Sequence, residues 1–199
     1  MTRLAIIDSG GANIASLMGA FDRLGAAAEL TADPDVIRGA THVLLPGVGA
    51  ARDAMTRLRK ANLVELIPAL QQPVLGICLG MQLLCDRSEE DGVDCLGIIP
   101  GTAKKLPAGD SFPVPNMGWC ATERAAPHPV LDGVENGTHF YYVHSYALPV
   151  SDHTIATTNH ASSFAAMLGK DNFVAAQFHP ERSSKAGARV LANFLEWTI

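Results

Sequence analysis

The sequence predicts one α/β domain over residues 1–199, with a mixed central sheet whose parallel core is flanked by helices. In the first half, short apolar runs alternate with segments of helical periodicity across short connections, which is typical of parallel βαβ units. In the second half, strand-like segments follow one another closely with turns between them, which indicates an antiparallel extension of the sheet. No internal repeat and no linker divides the chain.

Strands and helices alternate in the predicted first half. The expected strands are residues 4–7, 27–30, 42–45 and a run that begins at residue 73. The expected helices are residues 13–24, 52–59, 63–70 and a segment from residue 79 to about residue 86. Gly25 ends the first helix, because glycine is the usual residue just beyond a helix C-terminus. A polar turn is expected around Asp33 and Pro34.

The second half is expected to contain mainly strands. Residues 97–119 are rich in glycine and proline, which favours irregular structure or short strands. The strand-like segments after them are residues 139–148, 154–158, 164–168 and 172–178. The chain is then expected to finish with an amphipathic helix over residues 183–197, because Val190, Leu191 and Phe194 recur on one face together with Leu195.

The composition is that of a globular protein, with 48% hydrophobic and 18% charged residues. The net charge is −5, and no cluster of lysine and arginine is present, so nucleic acid is not expected as a main partner. No apolar run approaches the ~20 residues that span a bilayer, so no membrane partner is expected. The N-terminus lacks the basic segment and long apolar core of a signal peptide, which predicts a cytoplasmic protein.

The four cysteines do not form a recognisable metal or disulfide pattern. They are Cys78, Cys85, Cys95 and Cys120. No C-x-x-C and no paired histidine spacing occurs, so we expect no metal and no cofactor. A disulfide framework is not expected in a core-rich cytosolic chain. Cys85 is expected on the helix that follows Cys78, and all three cysteines other than Cys78 are interpreted as structural or incidental.

Cys78 lies between a predicted strand and a predicted helix, in the sequence Gly76-Ile77-Cys78-Leu79-Gly80. This Gly-x-Cys-x-Gly pattern is the thiol counterpart of the Gly-x-Ser-x-Gly nucleophile elbow, whose glycines permit a tight turn and close packing of the helix. The start of that helix favours the thiolate, which is the reactive form. A free cysteine is more often a small buried hydrophobe, but the glycine frame favours a nucleophile here.

A second motif, Gln177-Phe178-His179-Pro180-Glu181, supplies the groups that a cysteine nucleophile needs. His179 is expected at a strand end, where catalytic residues of α/β proteins collect, because Pro180 cannot continue the hydrogen bonding of a strand. Glu181 can orient the imidazole and stabilise its charged form. Alone, His179 is as easily an ordinary core or surface histidine and Glu181 a solvated charge. Together with the elbow they predict a Cys-His-Glu triad.

These two motifs resemble the signatures of the class I (triad) glutamine amidotransferases. Within that class the chain most closely resembles the glutaminase subunits of imidazole glycerol phosphate synthases. The supporting segments, in the family's order, are residues 45–50, 97–101, 115–119 and 142–146. The resemblance implies the fold of that class and hydrolysis of glutamine to glutamate and ammonia. It also implies a heterodimer with a cyclase subunit, which uses the ammonia in histidine biosynthesis.

The resemblance also implies roles for further residues. Val48 and Leu79 would donate backbone N–H groups to the oxyanion, and the glutamine-binding residues would be Gly49, Gln82, Glu90, Ser145 and Tyr146. For Glu90, a solvated acidic loop remains an equally good interpretation. The candidates for the face that meets the partner subunit are Asn116, Met117, Trp119, Tyr141, Tyr142 and His144. Ordinary core and sheet packing remains as good an interpretation for each of those six.

Two segments depart from the family pattern. Where the family usually has Asp-Tyr-Gly-x-Gly-Asn, this chain has Asp8-Ser9-Gly10-Gly11-Ala12-Asn13. Where it usually has Pro-His-Met-Gly-Trp-Asn, this chain has Asn116 and Cys120. Neither departure touches the triad. Three alternatives stay open: a catalytically inactive binding module, the glutaminase subunit of another class I amidotransferase, or a cysteine hydrolase such as a peptidase or γ-glutamyl hydrolase. The intact triad and the segments Pro-Gly-Val-Gly and Val-His-Ser-Tyr favour the amidotransferase.

Overall fold

The computed structural model describes residues 2–10, 14–109 and 111–199. Its strands are, in chain order, β1 (Leu4–Ile7), β2 (Ala28–Thr31), β3 (His42–Gly47), β4 (Val74–Cys78), β5 (Cys85–Ser88), β6 (Val93–Asp94), β7 (Ile99–Lys105), β8 (Asn116–Arg124), β9 (Thr138–His144), β10 (Tyr146–Ala147), β11 (Thr154–His160), β12 (Ser162–Lys170) and β13 (Phe173–Ala176). Its helices are α1 (Ile14–Arg23), α2 (Pro34–Gly39), α3 (Ala51–Lys60), α4 (Leu79–Leu83) and α5 (Ser184–Glu196).

A nine-stranded sheet with the order β2-β1-β3-β4-β13-β12-β11-β8-β9 forms the centre of the molecule. The first five strands in this order, β2, β1, β3, β4 and β13, run parallel to one another. The remaining strands, β12, β11, β8 and β9, extend the sheet in antiparallel pairs. This confirms the predicted mixed sheet with a parallel core. The last strand differs from the expectation: β13 turns back from β12 and therefore runs parallel to β4, which brings its end beside Cys78.

The core lies on both faces of the parallel strands. In β1, Leu4 and Ile6 pack on the face that α1 and α5 cover, whereas Ala5 and Ile7 pack on the face that α3 covers. A strand covered on both sides buries every residue, which is why the apolar run is continuous rather than alternating. Among the described residues, no helix is long and apolar enough to cross a membrane.

In the region around the elbow, one predicted helix is wrong and another is confirmed but shorter than expected. Residues 63–70 contain only a 3₁₀ turn at Ile67–Ala69, because Pro68 has no N–H to continue a helix and restricts the residue before it. The helix after Cys78 ends at Leu83, and Cys85 lies in β5 rather than on that helix. The buried leucines that suggested helical spacing instead fill the core beside α3.

Other differences come from local signals that had been assigned to turns or loops. The turn expected at Asp33 and Pro34 begins α2, since the Asp33 carboxylate accepts a hydrogen bond from the N–H of Asp35 at 2.8 Å. The single strand expected over residues 139–148 is divided into β9 and β10. Strand β10 joins β7, β5 and β6 in a separate four-stranded sheet that was not predicted. The expected start of α1 at Asn13 lies outside the described residues.

Candidate active site

Cys78 occupies a strained backbone position at the junction of β4 and α4. Its φ is 54° and its ψ is −109°, a conformation that residues other than glycine rarely adopt. Strain of this kind persists only where the surrounding structure imposes it, and it collects at functional sites. The side chain is buried but lines a pocket at the end of the parallel strands. The junction therefore has the geometry of a nucleophile elbow.

The two glycines of the elbow are required by close backbone packing. A Cβ atom on Gly80 would lie 1.8 Å from the carbonyl oxygen of Leu45, far inside any real contact distance. A Cβ on Gly76 would lie 2.9 Å from the carbonyl oxygen of Gly80 and 2.8 Å from the side chain of Leu84. Helix α4 can therefore press against β3 and β4 only because neither position carries a side chain.

His179 and Glu181 form a buried pair just beyond β13. The Nδ1 atom of His179 lies 2.8 Å from Oε1 of Glu181, and these side chains are only 8% and 2% exposed. The backbone of His179 is fixed as well, because its N–H donates to the carbonyl of Tyr141 and its carbonyl accepts from the hydroxyl of Ser183. Since Nδ1 faces the carboxylate, Nε2 is the nitrogen left for a reacting group.

The charge on His179 is set by two opposing effects. Burial alone lowers the pKa of His179, but Cys78 and then Glu181 stabilise the protonated ring and together raise that pKa to about 10. The Nε2 atom of His179 makes no well-aligned hydrogen bond with any described residue, although Cys78 is close enough to act on the ring's charge. This arrangement favours the imidazolium form of His179.

A pocket of about 360 Å³ contains all the residues predicted to bind or react with substrate. Those lining it are Val48, Gly49, Cys78, Leu79, Gln82, Glu90, Ser145, Tyr146, His179 and Glu181. They come from five separate parts of the chain, namely the ends of β3, β4, β9 and β13 and the loop after β5. The sheet therefore assembles one concave site from residues that are distant in sequence, as expected at the carboxyl ends of parallel strands.

The two residues predicted to supply the oxyanion donors line this pocket from two sides. Leu79 is the first residue of α4, so its N–H has no partner within that helix. Val48 follows β3, between two glycines that differ in their surroundings. Gly49 has a φ of 85° and open space where a Cβ would point, whereas a Cβ on Gly47 would lie 3.0 Å from the Cβ of Leu79.

Gln82 and Glu90 both line the pocket but already have protein partners. The Nε2 atom of Gln82 donates to the carbonyl of Tyr146 at 3.0 Å and to Oε1 of Gln177 at 3.3 Å. The carboxylate of Glu90 accepts a hydrogen bond from the N–H of Ala51 at 3.2 Å, at the start of α3. A carboxylate is favourable there because it meets the positive end of the helix dipole.

The candidates for the partner face lie on opposite sides of the β8–β9 pair. Met117 and Trp119 are 64% and 52% exposed, and the ring of Tyr141 packs edge-on against Trp119. We call these three residues the outer face. Asn116, Tyr142 and His144 point to the other side and are buried, with Tyr142 fully enclosed and bonded to Thr122 at 2.8 Å. Their burial favours the packing interpretation for those three.

Sequence reasoning missed several residues that shape the site. The carbonyl of Val143 lies 3.8 Å from the sulfur of Cys78, and the amide nitrogen of Gln177 lies 3.7 Å from it. Pro115 and Arg182 complete the pocket wall. Gln177 stands two residues before His179 in the quoted motif, and a polar residue at the buried end of a strand was the available signal. The other three carry no such signal in sequence.

The departures from the family pattern fall in different places. Ser9 is buried, and its hydroxyl donates to the carbonyl of Pro46 at 2.6 Å, which fixes the start of the Val48 loop. Gly11 and Ala12 lie outside the described residues. Cys120 donates weakly to the side-chain oxygen of Asn116 at 3.6 Å, so these two departures contact each other.

The cysteines other than Cys78 are held as neutral thiols. Burial raises the pKa of Cys85, Cys95 and Cys120, that of Cys95 to about 11. Within the described ranges, no group of three His, Cys, Asp or Glu side chains could hold a metal ion.

Comparison with known proteins shows which family this chain belongs to. The family model for class I glutamine amidotransferases matches residues 5–197. Imidazole glycerol phosphate synthase subunit HisH of Vibrio cholerae is 47% identical, over 97% of this chain and 98% of its own length. The protein of the same name from Xanthomonas campestris is 46% identical over 100% of both chains.

Solved structures of lower identity show the fold alone. PurLQS from Thermotoga maritima has a TM-score of 0.77 at 17% identity, covering 98% of both chains. The glutaminase domain of Trypanosoma brucei CTPS, solved with bound acivicin, has a TM-score of 0.64 at 14% identity, covering 100% of this chain and 96% of that one. With the matched family model and relatives of nearly equal length, the chain belongs to the class I glutamine amidotransferases, and within them to the family of imidazole glycerol phosphate synthase subunits HisH.

Proposed function

We propose that this protein is the glutaminase subunit of an imidazole glycerol phosphate synthase. It hydrolyses glutamine to glutamate and ammonia at the Cys78 pocket and passes the ammonia to a cyclase subunit in histidine biosynthesis. The observation that carries the proposal is the strained Cys78 elbow in one pocket with the buried His179–Glu181 pair. The named relatives of nearly equal length support the choice of synthase.

The reaction begins with attack of the Cys78 thiolate on the side-chain amide carbon of glutamine. The charge that develops on the amide oxygen is stabilised by the N–H of Leu79 and, in the active loop conformation, by that of Val48. His179, protonated in the pair, gives its Nε2 proton to the leaving nitrogen, and ammonia departs to leave a glutamyl thioester. Glu181 holds the ring in place through Nδ1 and balances its charge.

The second half of the reaction releases glutamate. His179 is neutral after it has protonated ammonia, so Nε2 can take a proton from water as that water attacks the thioester. Collapse of the tetrahedral intermediate breaks the carbon–sulfur bond and restores the thiolate and the imidazolium. Gly49, Ser145 and Tyr146 supply main-chain contacts to the glutamine backbone, and Glu90 takes its α-amino group.

The partner is proposed to dock on the outer face of Met117, Trp119 and Tyr141. An exposed tryptophan and methionine side by side are the residue types that dominate stable protein interfaces. Met117 is the cross-strand partner of Val143, which lines the pocket together with His144, so this face adjoins the end of the strand pair that reaches the pocket. A partner docked there would lie close to the pocket in which ammonia is released.

The decisive experiment measures glutamine hydrolysis with and without a purified cyclase subunit. Cys78→Ala should abolish glutamine-dependent synthesis and leave synthesis from free ammonium intact, since the acceptor site belongs to the partner. An electrophilic glutamine analogue should label Cys78 in the parent protein. Labelling of Cys85, Cys95 or Cys120 instead would contradict the assignment of the nucleophile.

Partner binding is proposed to raise the glutaminase rate by about 100-fold, which requires only ~2.7 kcal/mol and is within the range of one gained oxyanion donor. The Val48 loop is the element that would supply it, because Gly47 and Gly49 permit its peptides to rotate. Full glutaminase activity in the isolated subunit would exclude such a switch.

A further inference from the structure

Gln177 is a fully buried polar residue that the reaction described above does not use. It follows β13 directly, and its backbone N–H donates to the carbonyl of Ala166. Its side chain points to the nucleophile: the Nε2 atom lies 3.7 Å from the sulfur of Cys78. Burying an amide is unfavourable unless its hydrogen bonds are made, so the position of this side chain is tightly specified.

The orientation of the Gln177 amide follows from its neighbours. The carbonyl of Tyr146 can only accept, so the Gln82 amide must present its nitrogen there, at 3.0 Å. The same nitrogen lies 3.3 Å from Gln177, which must therefore present its oxygen in return. The remaining group of the Gln177 amide, its NH₂, then faces the sulfur. The bonding pattern settles the assignment without sight of hydrogens.

The hydrogen bonds that run from Gln177 through Gln82 to the carbonyl of Tyr146 are anchored at their other end by residues of β9 and β8. The Nδ1 atom of His144 donates to the carbonyl of Tyr146 at 2.9 Å, so that oxygen accepts two hydrogen bonds and has no freedom to turn. Burial lowers the pKa of His144 to about 4, which keeps the ring neutral. Its other nitrogen is therefore an acceptor, and the amide of Asn116 donates to it at 3.2 Å.

We propose that Gln177 is a positioning residue for the nucleophile, donating an N–H to the Cys78 thiolate and held in that orientation by Gln82 and the carbonyl of Tyr146. A donor fixed beside the sulfur stabilises its anionic form and restrains its rotation. The inference rests on the proposed role of Cys78. It also gives Gln82 a second task, because the side chain that lines the substrate pocket is the one that orients Gln177.

The test measures how pH controls alkylation of Cys78 by iodoacetamide, with the modified cysteine identified by mass spectrometry. This small reagent does not need the glutamine site, so the readout separates the state of the sulfur from substrate binding. The groups that share the pocket and stay unchanged are His144, Tyr146, His179, Glu181, Arg182 and Glu90. The raised pKa values of the other three cysteines keep them from competing near neutral pH.

Gln177→Met should raise the pH midpoint of Cys78 alkylation by about one unit, so that the rate below the midpoint falls about tenfold. Gln82→Met should raise it by less, because the Gln177 N–H remains but is no longer oriented. The double variant should match Gln177→Met alone, since both changes act through one contact. If Gln177→Met does not fold, Gln82→Met carries the test by itself.

Asn193→Leu is the matched control. Asn193 lies on α5, and its amide is also buried. The amide donates to the carbonyls of Val130 and Asp132, which do not line the pocket. It should lose stability without moving the alkylation midpoint. An unshifted midpoint in folded Gln177→Met, or additive shifts in the double variant, overturns the proposal while leaving Cys78 as the nucleophile. Labelling of another cysteine in the parent protein removes the proposed function and this inference with it.

Discussion

The nucleophile elbow and the β8–β9 pair contribute to the same pocket under opposite constraints. At the elbow, Gly76 and Gly80 lie so close to neighbouring atoms that an added methyl group on either glycine has no room. Along β8 and β9, alternate residues face solvent and core, and neighbours such as Met117 and Asn116 have unrelated surroundings. In a tight turn, neighbouring residues therefore serve the same packing requirement, whereas along a strand neighbouring residues face two different environments.

Removing His179 tests whether catalysis depends on the triad that includes the elbow cysteine, and this change should have the largest effect. His179→Ala should lower the glutaminase rate about 10⁴-fold or more, nearly as much as loss of Cys78, because triad members act as a unit. Glu181→Gln should cost less. Ammonium-dependent synthesis by the partner serves as the control and should be unchanged. Near-normal hydrolysis by His179→Ala would end the triad assignment.

Alanine at the elbow glycine tests whether packing is as unyielding as the distances imply. Gly80→Ala should lower the free energy of unfolding by about 3 kcal/mol or more, because its Cβ would collide with the backbone of Leu45. Gly49→Ala meets no neighbour and should cost only about 1–2 kcal/mol from its positive φ. Denaturant unfolding of both variants makes the comparison, and equal losses would show that β3 and α4 can separate easily.

Substitutions at two aromatic residues test whether the exposed side of the β8–β9 pair binds the partner while its buried side stabilises the fold. Trp119→Ala should weaken binding of the cyclase subunit by about 10-fold or more and change stability by less than about 0.5 kcal/mol. Tyr142→Phe should do the reverse, since it removes only the buried bond to Thr122, with a stability loss of about 1 kcal/mol. Calorimetric titration and thermal unfolding measure the two effects. Weaker partner binding in Tyr142→Phe would mean that the buried side also transmits to the interface.

The pocket histidines should respond differently to loss of the nucleophile. The pKa of His179 is raised from its ordinary 6.5 to about 10, so its contribution to stability is complete below pH 6.5 and is lost as pH rises through about 10. Cys78→Ala should lower that pKa by about one unit or more, because Cys78 is the strongest influence that raises it. His144, kept neutral by burial, should stay low. NMR titration of both rings decides, and an unmoved His179 would leave Glu181 as its sole stabilising partner.

The same contrast explains what the sequence could predict. The elbow and the His179 motif each lie within a few residues, so glycine spacing and one proline indicated their geometry. The six interface candidates came from two segments without knowledge of which side each strand buries, and Tyr142 and Asn116 were therefore grouped with Trp119. The role of Gln177 depends on Gln82 and Tyr146, which meet it only after the sheet has formed. Contacts between residues that are far apart in the chain leave no recognisable pattern in the local sequence.

Element boundaries failed at a proline inside an apparent helix and at strands too short to show a pattern. Residues 63–70 carry helical spacing, yet Pro68 limits them to one 3₁₀ turn and the leucines are buried without a helix. The second sheet was missed because β6 and β10 are two residues long, too short for any alternation to appear.

The central position of β13 has a consequence for synthesis of the chain. It is the last strand to be made, yet it lies between β4 and β12, and Cys78 precedes Gln177 by 99 residues. At translation rates of about 5–20 residues per second, the open edge of β4 waits roughly 5–20 s for its neighbour. During that interval the nascent chain exposes an apolar strand edge that other chains can pair with. It also holds a cysteine without its histidine, so an unfinished chain consumes no glutamine.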